Sequence, residues 1–325
     1  GDLMPETVRI REIAPDPPRL YEAFRRVEVT QLGQMDDDEI ASELRQRPQA
    51  LCIVNSRSHA RELYRLISDQ EGAFHLSASM CPRHRSEELD TIRNTLKEGA
   101  PCRVISTQLV EAGVDLDFPV VFRASAGLDS IAQAAGRCNR EGKLARGDLF
   151  IFQPVGRRLM GWFQRTATVA DMVLRHTDDP LGLEAVESYF RRLYDIEGDG
   201  LDKERIMEAV GEEWKQLSFP FAEIADRFRV IDADTVPIVI PWDDEAEDLI
   251  DKVAYWPSYG LFRKLQPYVV QVYPNQFAQL ERCGKVRTLG GDKGAIHVLT
   301  DESCYTEVGL EITEDLDVAG GAWYV

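Results

Sequence analysis

Gln133, Gly136, Arg137 and Arg140 fall at i, i+3, i+4 and i+7 of one short run, SIAQAAGRCNREG (130–142). If the run is helical from Ser130, these four residues share one face, with Ile131, Ala134, Ala135 and Cys138 supplying much of the rest. A guanidinium is permanently charged and can hold two phosphate oxygens at once. The stripe therefore suits a triphosphate, with the glycine letting another surface approach. Taken alone, the same helix reads equally as amphipathic with a solvated basic face.

A second group precedes it. Ser106, Thr107 and Gln108 directly follow the apolar run CRVIS (102–106). Small hydroxyl residues at a strand's carboxyl end can hold phosphate through side-chain oxygens and backbone N–H groups. Gly113 permits a positive φ, and Asp115, two residues on, can accept from ribose hydroxyls. An ordinary strand-to-helix loop could carry either feature; both together, at the ends of adjacent strands, point to a nucleotide and a nucleic-acid strand.

Positioning them requires a sheet. VEVTQLG (27–33) reads as a strand and Asp37 to Arg45 as a helix with acidic residues at its positive end. ALCIV (50–54) is a continuous apolar run feeding a helix with Ala60, Leu63, Tyr64 and Ile67 at helical spacing. AFHL (73–76), a helix through Leu89, Ile92 and Leu96, CRVIS, PVVFR (119–123) and DLFIF (148–152) repeat the alternation. The pattern predicts an α/β fold, a doubly wound parallel sheet, with functional residues at the strand carboxyl ends, where Asn55 and Ser77 also fall. Residues 1–25, rich in proline, read as a linker, 26–155 as the sheet domain, 156–217 as a helical linker and 218–325 as a smaller α+β domain. In the linker, helices are expected over 157–175, around 186–193 and over 203–217. FRVID (228–232), VPIVI (236–240) and YVVQVY (268–273) read as later strands, and the final 40 residues as short strands with glycine turns.

Composition narrows the function. Of the net charge of −18, residues 1–155 carry 20 basic and 24 acidic side chains and residues 156–325 carry 18 and 32. That excludes bulk electrostatic coating of nucleic acid but leaves room for a local basic groove in the first half. The six cysteines show no CxxC pair and the five histidines no ligand cluster, so free thiols and no metal site are expected. No apolar run approaches a membrane span and no signal peptide opens the chain, which predicts a cytoplasmic protein with no membrane partner.

STQLVEAGVDLDFPVVFR and QAAGRCNREG resemble motifs V and VI of superfamily 2 helicases. With ALCIVNSRSHARELY and HLSASMCPRHR upstream, the wording resembles the CRISPR-associated helicase-nuclease of type I systems, most closely its I-C form, and FRVIDADTVPIVIPWDDEAEDLI and LQPYVVQVY resemble that family's C-terminal domain. The resemblance implies the second RecA-like lobe. Arg137 and Arg140 would reach the γ-phosphate, Gln133 would couple two lobes, and Gly113, Asp115 and Gly136 would line the nucleotide. Thr107 with Ser106 and Gln108 would grip single-stranded DNA, as would Asn55, Ser77 and Arg85. Ala134 stands where many members carry an arginine.

The sequence contains no GxxxxGKT/S loop, no DExH-type carboxylate after an apolar strand and no histidine-aspartate nuclease motif. The resemblance implies that ATP and Mg are completed by a first lobe outside this sequence, alongside an N-terminal nuclease, with the RNA-guided surveillance complex (Cascade) as a further partner. The resemblance implies an ATP-dependent DNA translocase, inactive in this fragment. The competing readings are a non-enzymatic helicase-like scaffold whose arginines make structural ion pairs, and another superfamily 2 helicase lobe acting on RNA.

Overall fold

The structure, a computed structural model, describes residues 11–211, 219–228, 234–291 and 294–312. The first half runs α1 (Pro17–Phe24), β1 (Val27–Met35), α2 (Asp37–Arg45), β2 (Gln49–Ile53), α3 (Arg57–Ile67), β3 (Ala73–Leu76), α4 (Pro82–Glu98), β4 (Cys102–Ser106), β5 (Val120–Ala124), α5 (Leu128–Ala135) and β6 (Gly147–Pro154). Then come α6 (Gly161–Leu174), α7 (Leu183–Glu197), α8 (Ile206–Val210), α9 (Phe221–Arg227), β7 (Val236–Val239), α10 (Asp244–Tyr255), α11 (Tyr259–Leu265), β8 (Val269–Val272), α12 (Pro274–Arg282), β9 (Val286–Gly291), β10 (Gly294–Leu299), β11 (Tyr305–Thr306) and β12 (Gly309–Leu310).

Six strands form one sheet in the order β1-β6-β5-β2-β4-β3, every neighbour parallel. Alternation along β2 shows why both faces are covered: Leu51 and Ile53 enter one core while Ala50, Cys52 and Val54 enter another, and all five are fully buried. Each such leucine or isoleucine contributes about 1.5–3 kcal/mol by leaving water. The doubly wound arrangement predicted from sequence is therefore present, and all strand carboxyl ends lie along one edge.

Helices α2 and α3 cover the second face. Asp36 caps α2 by accepting from the Glu39 N–H, and the Glu39 side chain reaches back to the Asp36 N–H, a reciprocal box that fixes the start of the helix.

Three expectations are revised. Part of the proposed linker is ordered as α1, whose Tyr21 donates to Asp179 at 3.0 Å. Helices α6 and α7, read as a linker, pack into the sheet's own core through Val169, Val173, Ala185, Tyr189 and Leu193. Of the helix expected over 203–217, the described residues show α8, which ends before Gly211, and residues 212–217 lie outside the described residues, as do 229–232 of the FRVID strand.

The C-terminal part carries a four-stranded mixed sheet, β8-β7-β10-β9, flanked by α10, α11 and α12. It closes against the first sheet through β11 and β12. Gly309 (φ +86°) lies so close to the Ser79 backbone that a Cβ there would meet its carbonyl oxygen, and Leu310 N–H donates to that oxygen at 2.8 Å. Among the described residues no helix is long and apolar enough to cross a membrane.

Candidate functional site

The loops after β2, β3, β4 and β5 meet along the sheet's carboxyl edge. Gln108–Val110 forms a single 3-10 turn directly after β4, and the chain then passes Gly113, which takes φ +72° with open space around it, as its sequence position predicted. Asp115 beyond it is exposed.

The helix carrying the arginines is shorter than its spacing suggests. α5 stops at Ala135, and Gly136 serves as its C-cap with an ordinary φ of −65°. Phe118 N–H then donates to the Arg137 carbonyl and Asn139 N–H to the Phe118 carbonyl, pulling 137–139 into a parallel bridge beside 118. Asn139 takes φ +46°, a region asparagine tolerates. Its amide donates to the carbonyls of Arg26 and Leu144 at 3.1 and 2.9 Å and accepts from Leu144 N–H at 3.0 Å. The four-residue stripe predicted for one helix face is thus divided. Gln133 stays exposed on α5, Arg137 turns inward and Arg140 turns outward.

Arg137 is 7% exposed, and its Nε and Nη2 donate to the carbonyls of Val110 and Glu111, both at 2.7 Å. Burial, and then the charge of Arg140, pushes its pKa below the usual guanidinium range. Arg140 is half exposed, with Nε 2.8 Å from Asp115 Oδ1, while its own N–H donates to Asp117 and its carbonyl accepts from Arg26. A cavity of about 280 Å³ opens beside it, walled by Tyr21, Phe24, Arg25, Gly136 and Leu181.

The strand-end hydroxyls are less available than their positions suggested. Ser106 is fully buried and donates to the carbonyls of Leu76 and Thr107, and Thr107 is 7% exposed with its N–H bound to Leu76. Ser77 is fully buried against His75. Asn55 and Gln108 remain partly open and touch each other at 3.4 Å. Arg85 lies partly buried, and burial lowers its pKa, with Cys81 and Tyr305 opposing.

That end of the edge is roofed by the C-terminal part. Tyr305 Oη accepts from Cys81 N–H at 2.9 Å and lies 3.0 Å from His84 Nδ1, while His84 stacks on Trp242 with ring centroids 4.1 Å apart.

Two residues not singled out from the sequence hold the edge together. Arg123 and Glu111 are buried, with Arg123 Nε 2.8 Å from Glu111 Oε1. Arg123 also donates to Asn55 Oδ1 at 2.7 Å and to the Ala124 carbonyl at 2.8 Å. Burial raises the Glu111 pKa, and the charge of Arg123 opposes it. The available signal was a charged residue inside an apolar central strand, VVFR, which cannot be buried without a partner.

An all-parallel sheet with two helix layers and a clustered loop edge is a RecA-like α/β architecture. Residues 46–143 match the family described as CRISPR-associated nuclease/helicase Cas3, C-terminal. The chain is similar to the Cas3 nuclease/helicase of Methanothermobacter thermautotrophicus, 27% identical over 164 residues, covering 49% of this chain and 20% of that protein. It is also similar to that of Haloferax volcanii, 38% identical over 123 residues, covering 34% and 13%. The chain thus matches a fifth or less of the length of these relatives. The structure of T. fusca Cas3 superimposes with a TM-score of 0.55 at 19% identity, covering 92% of this chain and 43% of that one. Its ADP complex gives 0.53 at 18% identity, with the same coverage, and both share the RecA-like fold.

Proposed function

We propose that the chain is the second RecA-like lobe and C-terminal domain of a type I CRISPR helicase-nuclease, moving single-stranded DNA when joined to the remainder of the enzyme. Assignment to the I-C form rests on the wording of the four motif stretches. The observation carrying the proposal is Arg140: an exposed guanidinium held by a single carboxylate that is itself open to solvent, beside Arg26 and Asp117, which precede β1 and β5.

The chemistry around Arg140 fits a nucleotide. Arg140 and the neighbouring Arg25 offer cations to phosphate oxygens beside a cavity with aromatic walls. Magnesium requires hard oxygen ligands, and no group of three or more His, Cys, Asp or Glu among the described residues could hold a metal. Its carboxylates are assigned to the first lobe on the family resemblance alone. Bound between two lobes, ATP supplies the phosphoanhydride whose hydrolysis drives movement. In this chain Arg140 neutralises charge on the transferring phosphoryl group, Arg137 holds the 108–111 turn, and Asn55 and Gln108 hold the DNA backbone. An arginine supplied across such a cleft is worth about 10³–10⁵ in rate.

The acidic C-terminal domain forms a lid over the DNA side and a docking face for the surveillance complex. Tyr255, Trp256 and Tyr259 support this face: they are 80%, 81% and 87% exposed, at and just beyond the carboxyl end of α10. Such aromatics suit the anchoring centre of a protein interface.

The scaffold reading is favoured by one observation, the use of Arg137 as an internal strut. Kinetics separate the two. The isolated chain should not hydrolyse ATP and should bind single-stranded DNA weakly, with affinity falling as salt rises. In the full-length protein Arg140→Ala should abolish DNA-stimulated ATPase and leave DNA affinity nearly unchanged. Wild-type turnover by that variant would favour the scaffold.

A further inference from the structure

Asn55 and Arg137 belong to opposite sides of the edge, one toward the DNA and one toward the nucleotide, yet a continuous chain of contacts joins them. Asn55 Oδ1 accepts from Arg123 at 2.7 Å, Arg123 faces Glu111 at 2.8 Å, and the Glu111 carbonyl accepts from Arg137 at 2.7 Å. Arg137 is three residues from Arg140. Three further facts set the chain apart from ordinary core packing. Arg123 is fully buried, so its charge must be matched inside the protein. Its Nη2 and Nε make no hydrogen bond, nor does Glu111 Oε1, so the 2.8 Å contact is an ion pair without hydrogen-bond geometry and the guanidinium is incompletely satisfied in this arrangement. Asn55 is shared, because its amide also donates to the Ser125 carbonyl at 2.9 Å and its oxygen meets Gln108. An Asn55 oxygen drawn toward another donor weakens its hold on Arg123. The incompletely bonded guanidinium can then shift against Glu111, which sits on the turn that Arg137 grips.

We infer that the buried Arg123–Glu111 pair is a positioning element that couples strand binding at Asn55 and Gln108 to the placement of the Arg137–Arg140 segment. The inference rests on the proposed function, since it assigns regulation within that site. Neither residue touches DNA or nucleotide; both act through Asn55 and the 108–111 turn.

Removing one partner alone strands a buried charge and can unfold the domain. The test therefore uses the double variant Arg123→Met/Glu111→Leu, which replaces both charges with apolar side chains of similar volume. In the full-length protein, basal ATPase and single-stranded DNA affinity should stay within about threefold of wild type, while the stimulation of kcat by DNA should fall about tenfold or more, a coupling of ordinary size. A merely structural pair would alter stability and leave the stimulation ratio intact, and that result overturns the inference. If the wild-type protein shows no DNA stimulation, the functional proposal fails instead.

A second measurement needs only the chain itself. The Arg137 Nε–H is buried and bonded to the Val110 carbonyl, so it should give a resolved NMR resonance. Adding a single-stranded oligonucleotide should shift that resonance in the wild type. A shift confined to Asn55 and Gln108, with Arg137 unmoved at saturation, overturns the coupling while leaving DNA binding established, whether or not the double variant folds.

Discussion

Arg140 Nε lies 2.8 Å from Asp115 Oδ1 with both side chains open to water, at relative exposures of 45% and 80%. Arg137, three residues earlier, makes the opposite choice and binds two backbone carbonyls from a buried position. One motif therefore holds a presented cation and a strut.

The two arginines should separate by stability. Arg140→Ala removes an exposed pair worth about 0–1 kcal/mol. Arg137→Ala leaves the buried Val110 and Glu111 carbonyls without their donor and should cost about 2–4 kcal/mol. Urea denaturation of the chain checks both, and equal midpoints for the two variants would contradict the strut.

Asn139 should be sensitive for two reasons. Asn139→Ala loses three hydrogen bonds and places a Cβ without a local polar partner at φ +46°, for a combined loss of about 3 kcal/mol. Asn139→Gly restores the backbone freedom and loses only the bonds, so its denaturation midpoint should fall between wild type and the alanine variant.

The contact between the two sheets should depend on pH. Burial lowers the His84 pKa from 6.5 to about 4, against the pull of Glu87 and Glu307. Between those values the unfolded chain binds more protons than the folded one, so stability rises with pH in that window. The contribution is complete above about pH 6.5 and is lost as pH falls toward 4. Buried His75, lowered to about 3, acts with the same sign. Thermal unfolding midpoints at pH 7 and pH 4.5 should therefore differ less in His84→Phe than in wild type, and the difference between the proteins isolates His84.

The exposed aromatics should matter for assembly alone. Tyr255→Ser/Trp256→Ser/Tyr259→Ser in the full-length protein should weaken binding to a DNA-bound surveillance complex at least tenfold, as loss of anchoring aromatics does. ATPase on free single-stranded DNA should stay at the wild-type rate. Biolayer interferometry and ATPase assays together read the two outcomes, and unchanged binding would remove the docking assignment.

The strands and the parallel sheet were legible in the sequence because each is a local pattern. AFHL and CRVIS occupy β3 and β4 residue for residue, and Asp37–Arg45 forms the expected helix. Apolar runs of strand length, capped helices and the Gly113 turn depend on neighbours a few positions away. The loops holding Asn55 and Gln108 followed directly, since parallel strands place all their carboxyl ends on one edge, whereas Asp115 pairs with Arg140 beside Asp117 and Arg26, which precede β5 and β1.

What only the tertiary structure decided was where the side chains along that edge point. Helical spacing placed Arg137 and Arg140 on one face, but a bridge to Phe118, distant in sequence, ended the helix at Ala135 and sent the two arginines in opposite directions. Ser77, Ser106 and Thr107 stood at the right ends, yet Ser106 and Thr107 bond the Leu76 carbonyl of the neighbouring strand and Ser77 bonds His75 of its own. Arg123 and Glu111 became a pair because β5 and the turn after β4 both end at this edge. Residue types and periodicity determined the elements and their order; long-range hydrogen bonds and the cost of burying an unpaired charge determined which of those residues remain free to act.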